Sequence, residues 1–439
     1  MIKAGFSRLD ITPPLGADLS GYFFRRAAKG VLDPLYLNTV AISEPNGETL
    51  LIMALDFIGI TMDKNILIRR FISEQTGVKA ENIVIAALHQ HTAPLISDPE
   101  VKDTALRDEE YIRVLFRKLA DGAVMAIDDM ADTSMETAEG EVAEPIAFVR
   151  RYFVSDGSVQ TNPPSKYTPV RRCAEADNTV RLIRFRREGK NDIAIINFST
   201  HPDVVSGYYF SADWPGFARS YTERDIEGVS ALFLTGCQGD SNHIDYFKPK
   251  DQRIKNGNTY DHSKYMGRMV ADAVVKMWDS TVPCNEGTVF AEQTVVYNRT
   301  NLTDIDKYDH YKAWYEDYEA GRLPSEPHIT ELAYARRIVR LRVAPIFLPV
   351  PLSVFSFGGV TLVGFGGEAF TAYATAVREM LPGRFAISAV CANGYEGYYP
   401  TEEAFAQGGY EAKSSLFTPT LQREIISALE EIFKKRGLY

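Results

Sequence analysis

Two of the chain's seven histidines, His89 and His91, stand two apart in the run VIAALHQHTAP over 84–94. Residues two apart on an extended chain project from the same face. The apolar stretch Val84 to Leu88 reads as a buried strand that Thr92 and Pro94 bring to an end, so the pair predicts a site at a strand terminus. A third histidine, His201, follows another apolar run and precedes Pro202, and Glu368 follows Gly366-Gly367 at the end of a third. Two histidines from separate segments plus a carboxylate form the donor set of a catalytic zinc ion, which keeps one position for water or substrate. Imidazole with carboxylate suits such a borderline cation better than magnesium or calcium, which take oxygen shells. Zinc would lower the pKa of water to about 7 and so supply hydroxide for attack on a carbonyl. Arg150 or Arg151, with a tyrosine, would stabilise the developing oxyanion.

Each residue also has an ordinary reading. Isolated histidine pairs are mostly structural, a histidine before proline is mostly structural, the glycines before Glu368 make a turn, and Asp240 after Gly239 caps a helix or turn. Their recurrence at three equivalent strand ends favours a metal site. His243, His262, His310 and His328 show no such pattern. There is no G-x-S-x-G elbow, and Ser241, in the run GCQGDSN, reads as a turn serine. Arg25 and Arg26 beside Phe23 and Phe24 suit a pocket wall or a solvated loop equally. Asn298-Arg299-Thr300 matches a glycosylation sequon but carries no weight without a secretory signal.

The elements that must position these residues follow from periodicity and punctuation. Strands at 37–43 and 49–60, the latter holding Asp56, flank a turn at Pro45-Asn46-Gly47. Ile66, Ile68, Phe71 and Ile72 set a helix over 63–76 ahead of the strand that carries the histidine pair. A helix covers 108–130, strands occupy parts of 133–160, and 161–178 is irregular. Strands at 179–186 and 192–198, a helix at 214–226 and a strand at 230–234 make a second unit. A helix at 262–278, a strand at 285–298 and a mostly helical, exposed span at 300–342 follow. A strand at 360–365, a helix at 369–380 and a strand at 386–390 make the third unit, before an amphipathic helix at 419–435. Strand–helix–strand crossovers favour parallel pairing, and ligands of such α/β sheets bind beyond the carboxyl ends of the strands. There His89, His91, His201, Asp240, Glu368 and the loop from Tyr395 to Tyr399 are expected to converge.

The 439 residues allow one large domain or two to three ordinary ones. A hydrophobic content of 45% and a charged content of 24% are those of an ordinary globular protein. The net charge of −10, with no basic block, argues against a nucleic-acid partner. No apolar run of about 18 residues predicts a membrane-spanning helix, and the N-terminus has no signal-peptide pattern. Cys173, Cys237, Cys284 and Cys391 are widely spaced without CxxC, as expected of reduced, mostly buried thiols in a cytoplasmic protein.

The chain resembles the catalytic domain of the neutral (non-lysosomal) ceramidases from AGFSRLDITPPLG to NGYEGYYPTEEAFAQGGYEA. DITPP is similar to that family's opening, HQHTAP to its His-x-His-Ser-small-Pro motif, FSTHP to the segment with its second metal histidine, and GGEAFT to its Gly-Glu-Phe-Thr. NGYEGYYPTEEAF resembles its Asn-x-Tyr-x-x-Tyr-x-x-Thr stretch. The resemblance implies an α/β fold of layered, mixed β-sheets with flanking helices, with residues 1–439 forming one catalytic domain without the family's C-terminal β-sandwich. It implies a zinc-dependent amidase with His89, His201, Glu368 and Tyr398 as metal ligands, and His91, Arg150 and Tyr395 beside the metal as catalytic residues. The expected partner is a small N-acyl compound, possible sphingolipid character included. The family's Gly-Asp-Val-Ser-Pro-Asn motif is altered here to Gly239-Asp240-Ser241-Asn242-His243, with Asn242 in the serine's place, and 300–342 is too polar for a lipid-binding surface. The alternatives are the same centre acting on an ester, lactone or sugar derivative, or a binding protein without catalysis.

Overall fold

The segment Thr49–Leu55 shows no apolar–polar alternation because both of its faces are buried. Leu51, Met53 and Leu55 enter one apolar cluster, and Leu50, Ile52 and Ala54 enter a second. This strand lies in the main sheet of a computed structural model that describes residues 2–44, 47–98, 104–255 and 257–438. The turn expected at Pro45-Asn46 lies outside the described residues.

The main sheet is built from β1 (Lys3–Asp10), β2 (Tyr36–Ser43), β3 (Thr49–Leu55), β4 (Ile83–Ala87), β5 (Ala131–Glu141), β6 (Thr179–Arg187), β7 (Asp192–Phe198) and β8 (Val229–Thr235). They lie in the order β8-β7-β6-β5-β1-β2-β3-β4, with the short strand Val282–Pro283 beside β5. A second sheet, β9 (Phe290–Arg299), β10 (Phe347–Phe357), β11 (Val360–Phe365) and β12 (Phe385–Ala389), keeps chain order. Within these two sheets three pairs are parallel: β3 with β4, β7 with β8, and β11 with β12. The chain crosses between them through α1 (Met62–Thr76), α3 (Asp213–Asp225) and α7 (Thr371–Met380), the three expected crossovers. The other long helices are α2 (Glu109–Asp128), α4 (Tyr260–Met277), α5 (Tyr308–Glu319), α6 (Ile329–Leu341) and α8 (Leu421–Arg436).

Both apolar clusters rest on these sheets. One takes in Ile68 and Ile72 of α1, Leu115 and Leu119 of α2, and Leu421 and Ile425 of α8. The other takes in Trp214 of α3 and Met266, Val270 and Val274 of α4. Asp108 caps α2 by accepting the Tyr111 N–H at 2.9 Å. Gly77, at φ 73°, ends α1 in the left-handed region where glycine carries no steric cost. Among the described residues no helix is long and apolar enough to cross a membrane. All four cysteines are free; Cys237 and Cys391 are buried, while Cys173 and Cys284 are only partly so.

Two expectations need correction, and one strand lies where none was expected. The strand 49–60 breaks at Asp56, whose carboxylate takes two Arg219 hydrogen bonds at 2.8 and 2.6 Å and the Tyr36 N–H at 2.8 Å. The chain resumes as the short strand Gly59–Ile60, parallel to Leu95–Ile96. Strand β10 is not among the strands expected from the sequence, and it holds Pro349 and Pro351, residues that a central strand excludes. It tolerates them because β11 pairs only with Leu352 to Phe357, which leaves the proline stretch with β9 as its one ladder partner. The span 300–342 is exposed along α5 but not along α6, which buries Leu332, Ala333, Ala335, Ile338 and Leu341.

The carboxyl ends of the strands are tied across the two sheets. Thr235 Oγ1 donates to the Leu88 carbonyl (2.9 Å), and Asn197 Nδ2 donates to the carbonyls of Leu234 (2.8 Å) and Ser388 (2.9 Å). The Ala87 N–H donates to the Cys391 carbonyl (3.2 Å) and the Val390 N–H to the Thr235 carbonyl (3.0 Å). Loops leaving β4, β7, β8, β11 and β12 therefore open onto one place.

Candidate active site

His89 follows β4 with a φ of 76°, a value that non-glycine residues rarely adopt. Its N–H donates to the Phe57 carbonyl at 2.8 Å, and its Nδ1 lies 2.9 Å from the Ile58 carbonyl. These bonds hold the strained backbone and fix the ring. His201 follows β7, and its Nδ1 faces the carbonyls of Gln238 at 2.9 Å and Ser241 at 3.0 Å, both from the loop after β8. A carbonyl only accepts, so Nδ1 carries the proton in both rings, and in the neutral imidazole Nε2 is left as a lone pair. Both Nε2 atoms point at the same oxygen, Oε2 of Glu368, at 3.2 Å from His89 and 3.1 Å from His201. Two lone pairs and a carboxylate oxygen repel one another unless positive charge sits among them. In the metal-free chain a proton supplies it. Burial opposes charging of His89, but Glu368 and Cys391 together outweigh burial and hold its pKa well above the usual value. His201 goes the other way, pushed down to about 4 by burial and then by Arg150. Burial would raise the Glu368 pKa, yet the two histidines hold it well below the carboxylate range.

Glu368 is delivered by close backbone packing. A Cβ on Gly366 would meet Pro351 at 2.2 Å, and one on Gly367 would meet the Gly397 carbonyl at 2.5 Å. The segment Glu368–Ala369 then pairs in parallel with Tyr398–Tyr399, setting Glu368 opposite Tyr398. The Tyr398 ring lies 6.4 Å from that of His201, nearly parallel to it. The Tyr395 ring lies 5.5 Å from that of His89. Burial first, then Glu368, keeps both phenols protonated well past their ordinary range.

His91 completes a histidine triad with ring centres 5.1 Å from His89 and 5.9 Å from His201. The ligand atoms of His89, His91 and His201 all lie within 4.8 Å of one another, and the triad is a group able to hold a metal ion. Neither ring nitrogen of His91 makes a well-directed hydrogen bond with a described residue. Its Nδ1 lies 3.3 Å from Asp203 Oδ1, which in turn accepts the Tyr22 hydroxyl at 2.8 Å. The orphaned nitrogens, the two aligned Nε2 atoms and a carboxylate with no other role fit a divalent metal.

Of the two candidate arginines, Arg150 is the one beside the centre. Its guanidinium lies 5.4 Å from the Tyr398 ring centre, donating to Glu411 Oε1 at 2.8 Å and to the Gly239 carbonyl at 2.9 Å. Arg151 turns away to Glu411 Oε2 at 3.0 Å and the Ala404 carbonyl at 3.3 Å. Asp240 lies in the same loop cluster, but its carboxylate is taken by the N–H and hydroxyl of Thr371 at 2.8 and 2.9 Å, at the start of α7. It acts as a helix cap and does not converge on the histidines as expected. Ser241 is buried in the two-residue ladder with Phe148–Val149 and has no nucleophile's surroundings. Arg26 is buried under His91, donating to its carbonyl at 2.6 Å, whereas Arg25 is surface-exposed and pairs with Asp18.

Four residues escaped the sequence reading: Tyr22, Asp203, Tyr410 and Glu411. Asp203 carried a usable signal, standing two residues past His201. Tyr22 lies in a loop and Tyr410 and Glu411 open the short helix Tyr410–Ser414, and all three have partners distant in sequence. His243 and His262 meet outside the site, with ring centres 5.6 Å apart, in a separate small cavity that also holds Glu144 and Asp245.

The mouth above the triad is a cavity of about 140 Å³ between Phe23, Tyr395, Tyr410 and α6. A larger cleft of about 820 Å³, walled by Tyr167, Tyr311 and Tyr334, lies against another face of α6 and includes none of the triad.

Mixed sheets with flanking helices and a buried histidine–carboxylate centre at their strand ends define the chain as an α/β protein. The fold is that of neutral ceramidase from Pseudomonas aeruginosa, with a TM-score of 0.72 at 18% identity over 100% of this chain and 74% of that one. A ceramidase solved in complex with C2 matches with a TM-score of 0.72 at 16% identity, over 100% of this chain and 75% of that one. No family model matches the sequence, and no curated protein matches it.

Proposed function

We propose that the chain is a zinc-dependent hydrolase that cleaves an amide, an N-acyl bond. The observation that carries this reading is the convergence of His89 Nε2 and His201 Nε2 on one Glu368 oxygen, with both Nδ1 atoms held by carbonyls. His89, His201, Glu368 and Tyr398 would hold the ion. Zinc, when bound, supplies Lewis acidity and a water acidic near neutral pH. Arg150 and the Tyr395 hydroxyl donate toward the oxygen of the acyl carbonyl, where negative charge develops. Arg150 is fixed for this task by Glu411 and Gly239, so no side-chain ordering is left for the reaction. His91, turned by Asp203 at Nδ1, handles the proton that passes to the leaving amine. The name of the structural neighbours, ceramidase, refers to an amide substrate and supports this bond as the target.

The test is zinc analysis of the purified chain together with assays on paired N-acyl and ester substrates. Stoichiometric zinc, and amide hydrolysis abolished by a chelator and restored by zinc, is the expected result. Protein that neither holds nor regains activity with zinc, or that cleaves esters but no amide, overturns the proposal.

A further inference from the structure

His243 is 5% exposed, and neither of its ring nitrogens has a hydrogen-bond partner among the described residues. A buried polar atom left without a partner costs free energy that a water, an ion or a ligand removes. His243 lines a cavity of about 120 Å³. His262, in the first turn of α4, lines it too, with ring centres 5.6 Å apart. Ring centres within the histidine triad are 5.1 to 5.9 Å apart, so this second pair has the spacing of rings able to share one ion.

The pair is held from two sides. His243 comes from the loop after β8, and the Thr259 hydroxyl accepts the His262 N–H at 3.2 Å at the start of α4. The Tyr265 ring stacks on that of His262 at 5.5 Å, and its hydroxyl donates to Glu144 Oε1. Glu144 and Asp245 bring negative charge to the cavity wall, Asp245 sharing its charge with Arg172 at 2.8 Å. Two cations line the cavity as well: Lys248 is exposed, and Arg253 lies over the Tyr246 ring at 4.7 Å. Burial keeps both imidazoles neutral near pH 7, so each offers a lone pair. A metal cation takes those lone pairs as they are, whereas an anion would first have to draw protons onto two buried rings. Imidazole suits zinc, copper and nickel, and magnesium and calcium take oxygen shells instead.

We propose that His243 and His262 form a second metal site, for a divalent transition cation such as zinc, apart from the centre of His89, His201 and Glu368. Water completes the shell, for which the cavity has room. Two imidazoles hold the ion less tightly than the larger donor set of the first centre. The loop that carries His243 also supplies the Gln238 and Ser241 carbonyls that fix His201. The second ion therefore ties α4 to the loop that orients a residue of the first centre. The second site stands whether or not the first is hydrolytic.

The test titrates zinc chloride by calorimetry into the full chain and into His243→Gln and His262→Gln, with magnesium chloride and inorganic phosphate titrated in parallel. Wild type is expected to show two zinc events. Each substitution should weaken the second at least about tenfold and leave the first unchanged. Zinc at about 100 times the Kd of the second event should raise the wild-type unfolding midpoint by about 3 °C beyond the effect of the first, and neither variant should show this rise. His262 is only half-buried, so His262→Gln decides the matter if His243→Gln fails to fold. Zinc binding that neither substitution weakens, equal binding of magnesium at these residues, or phosphate bound there in place of zinc overturns the site. Zinc binding that the substitutions abolish, in a chain whose first centre takes none, upholds the second site and overturns the zinc-dependent hydrolase reading.

Discussion

Glu368 and Tyr398 stand directly opposite one another in a two-residue parallel ladder, so a single backbone register sets a carboxylate beside a phenol. Across this ladder the Glu368 N–H donates to the Gly397 carbonyl at 2.8 Å, and the glycines before it pack where no side chain fits. The carboxylate is thus aimed at the two histidines by main-chain geometry rather than by its own rotamer.

Removing that carboxylate should empty the centre. Glu368→Gln keeps the size of the side chain but loses the charge shared by His89 and His201. Zinc affinity, measured by competition with a chromophoric chelator, is expected to fall by more than about 100-fold. An unchanged affinity would mean that Glu368 is not a ligand.

Gly59 tests the placement of Tyr395. A Cβ there would lie 2.5 Å from the tyrosine ring, so Gly59→Ala must displace it. A shift on the order of 1 Å costs up to about 100-fold in rate. The expected outcome is a lower kcat with zinc content unchanged, and full activity would remove Tyr395 from the mechanism.

Asp203→Asn addresses the contact with His91. Burial first raises the Asp203 pKa to about 6, so near pH 7 the group is largely ionised; burial and then His89 hold His91 well below its usual value, and the Asp203 charge 3.3 Å away acts against that depression. Its loss should lower kcat by about 10–100-fold and move the acidic limb of the pH–rate profile to lower pH. An unmoved limb would show that Asp203 is structural.

Glu411 is fully buried and shared by Arg150, Arg151 and the Thr161 hydroxyl. Glu411→Gln leaves two buried guanidinium groups without a counter-charge, and losses of about 3–5 kcal/mol follow when a buried pair is broken. Urea unfolding should show this as a lower midpoint, and a change of under about 1 kcal/mol would count against the buried pairing.

His243 and His262 predict acid sensitivity. Burial first, then their mutual charge and that of His201, pushes His243 down to about 3, and burial pushes His262 down to about 4. In the unfolded chain both take up protons near pH 6.5. Between those limits the unfolded state binds more protons, so stability is full above about pH 6.5 and is lost as pH falls toward 4 and below. His243→Gln should flatten that decline in chemical-denaturation curves collected from pH 7 to pH 4, and an identical slope would refute the assignment.

Much of the fold was legible because strands buried on both faces leave continuous apolar runs, as in β3, β4, β7 and β11. The helices between them show in the periodicity of residues such as Ile68 and Ile72. Strand β10 was not legible, because its prolines are tolerated only through the limited reach of β11. The burial of α6 was not legible either, because its charged residues mask an apolar face.

Residue type and local order alone placed His89, His91, His201 and Glu368 just past strand ends and marked them as possible metal donors. The resemblance to the ceramidases added Tyr398, which no spacing rule selects. Only the tertiary structure decided which nitrogen of each imidazole is free, that one Glu368 oxygen serves both rings, and that Arg150 rather than Arg151 faces them. It also brought Asp203 to His91 and His243 to His262. The reason is that donor chemistry belongs to the side chain, whereas a meeting of side chains within about 3 Å, the hydrogen-bond range, depends on how two sheets and their crossover helices pack.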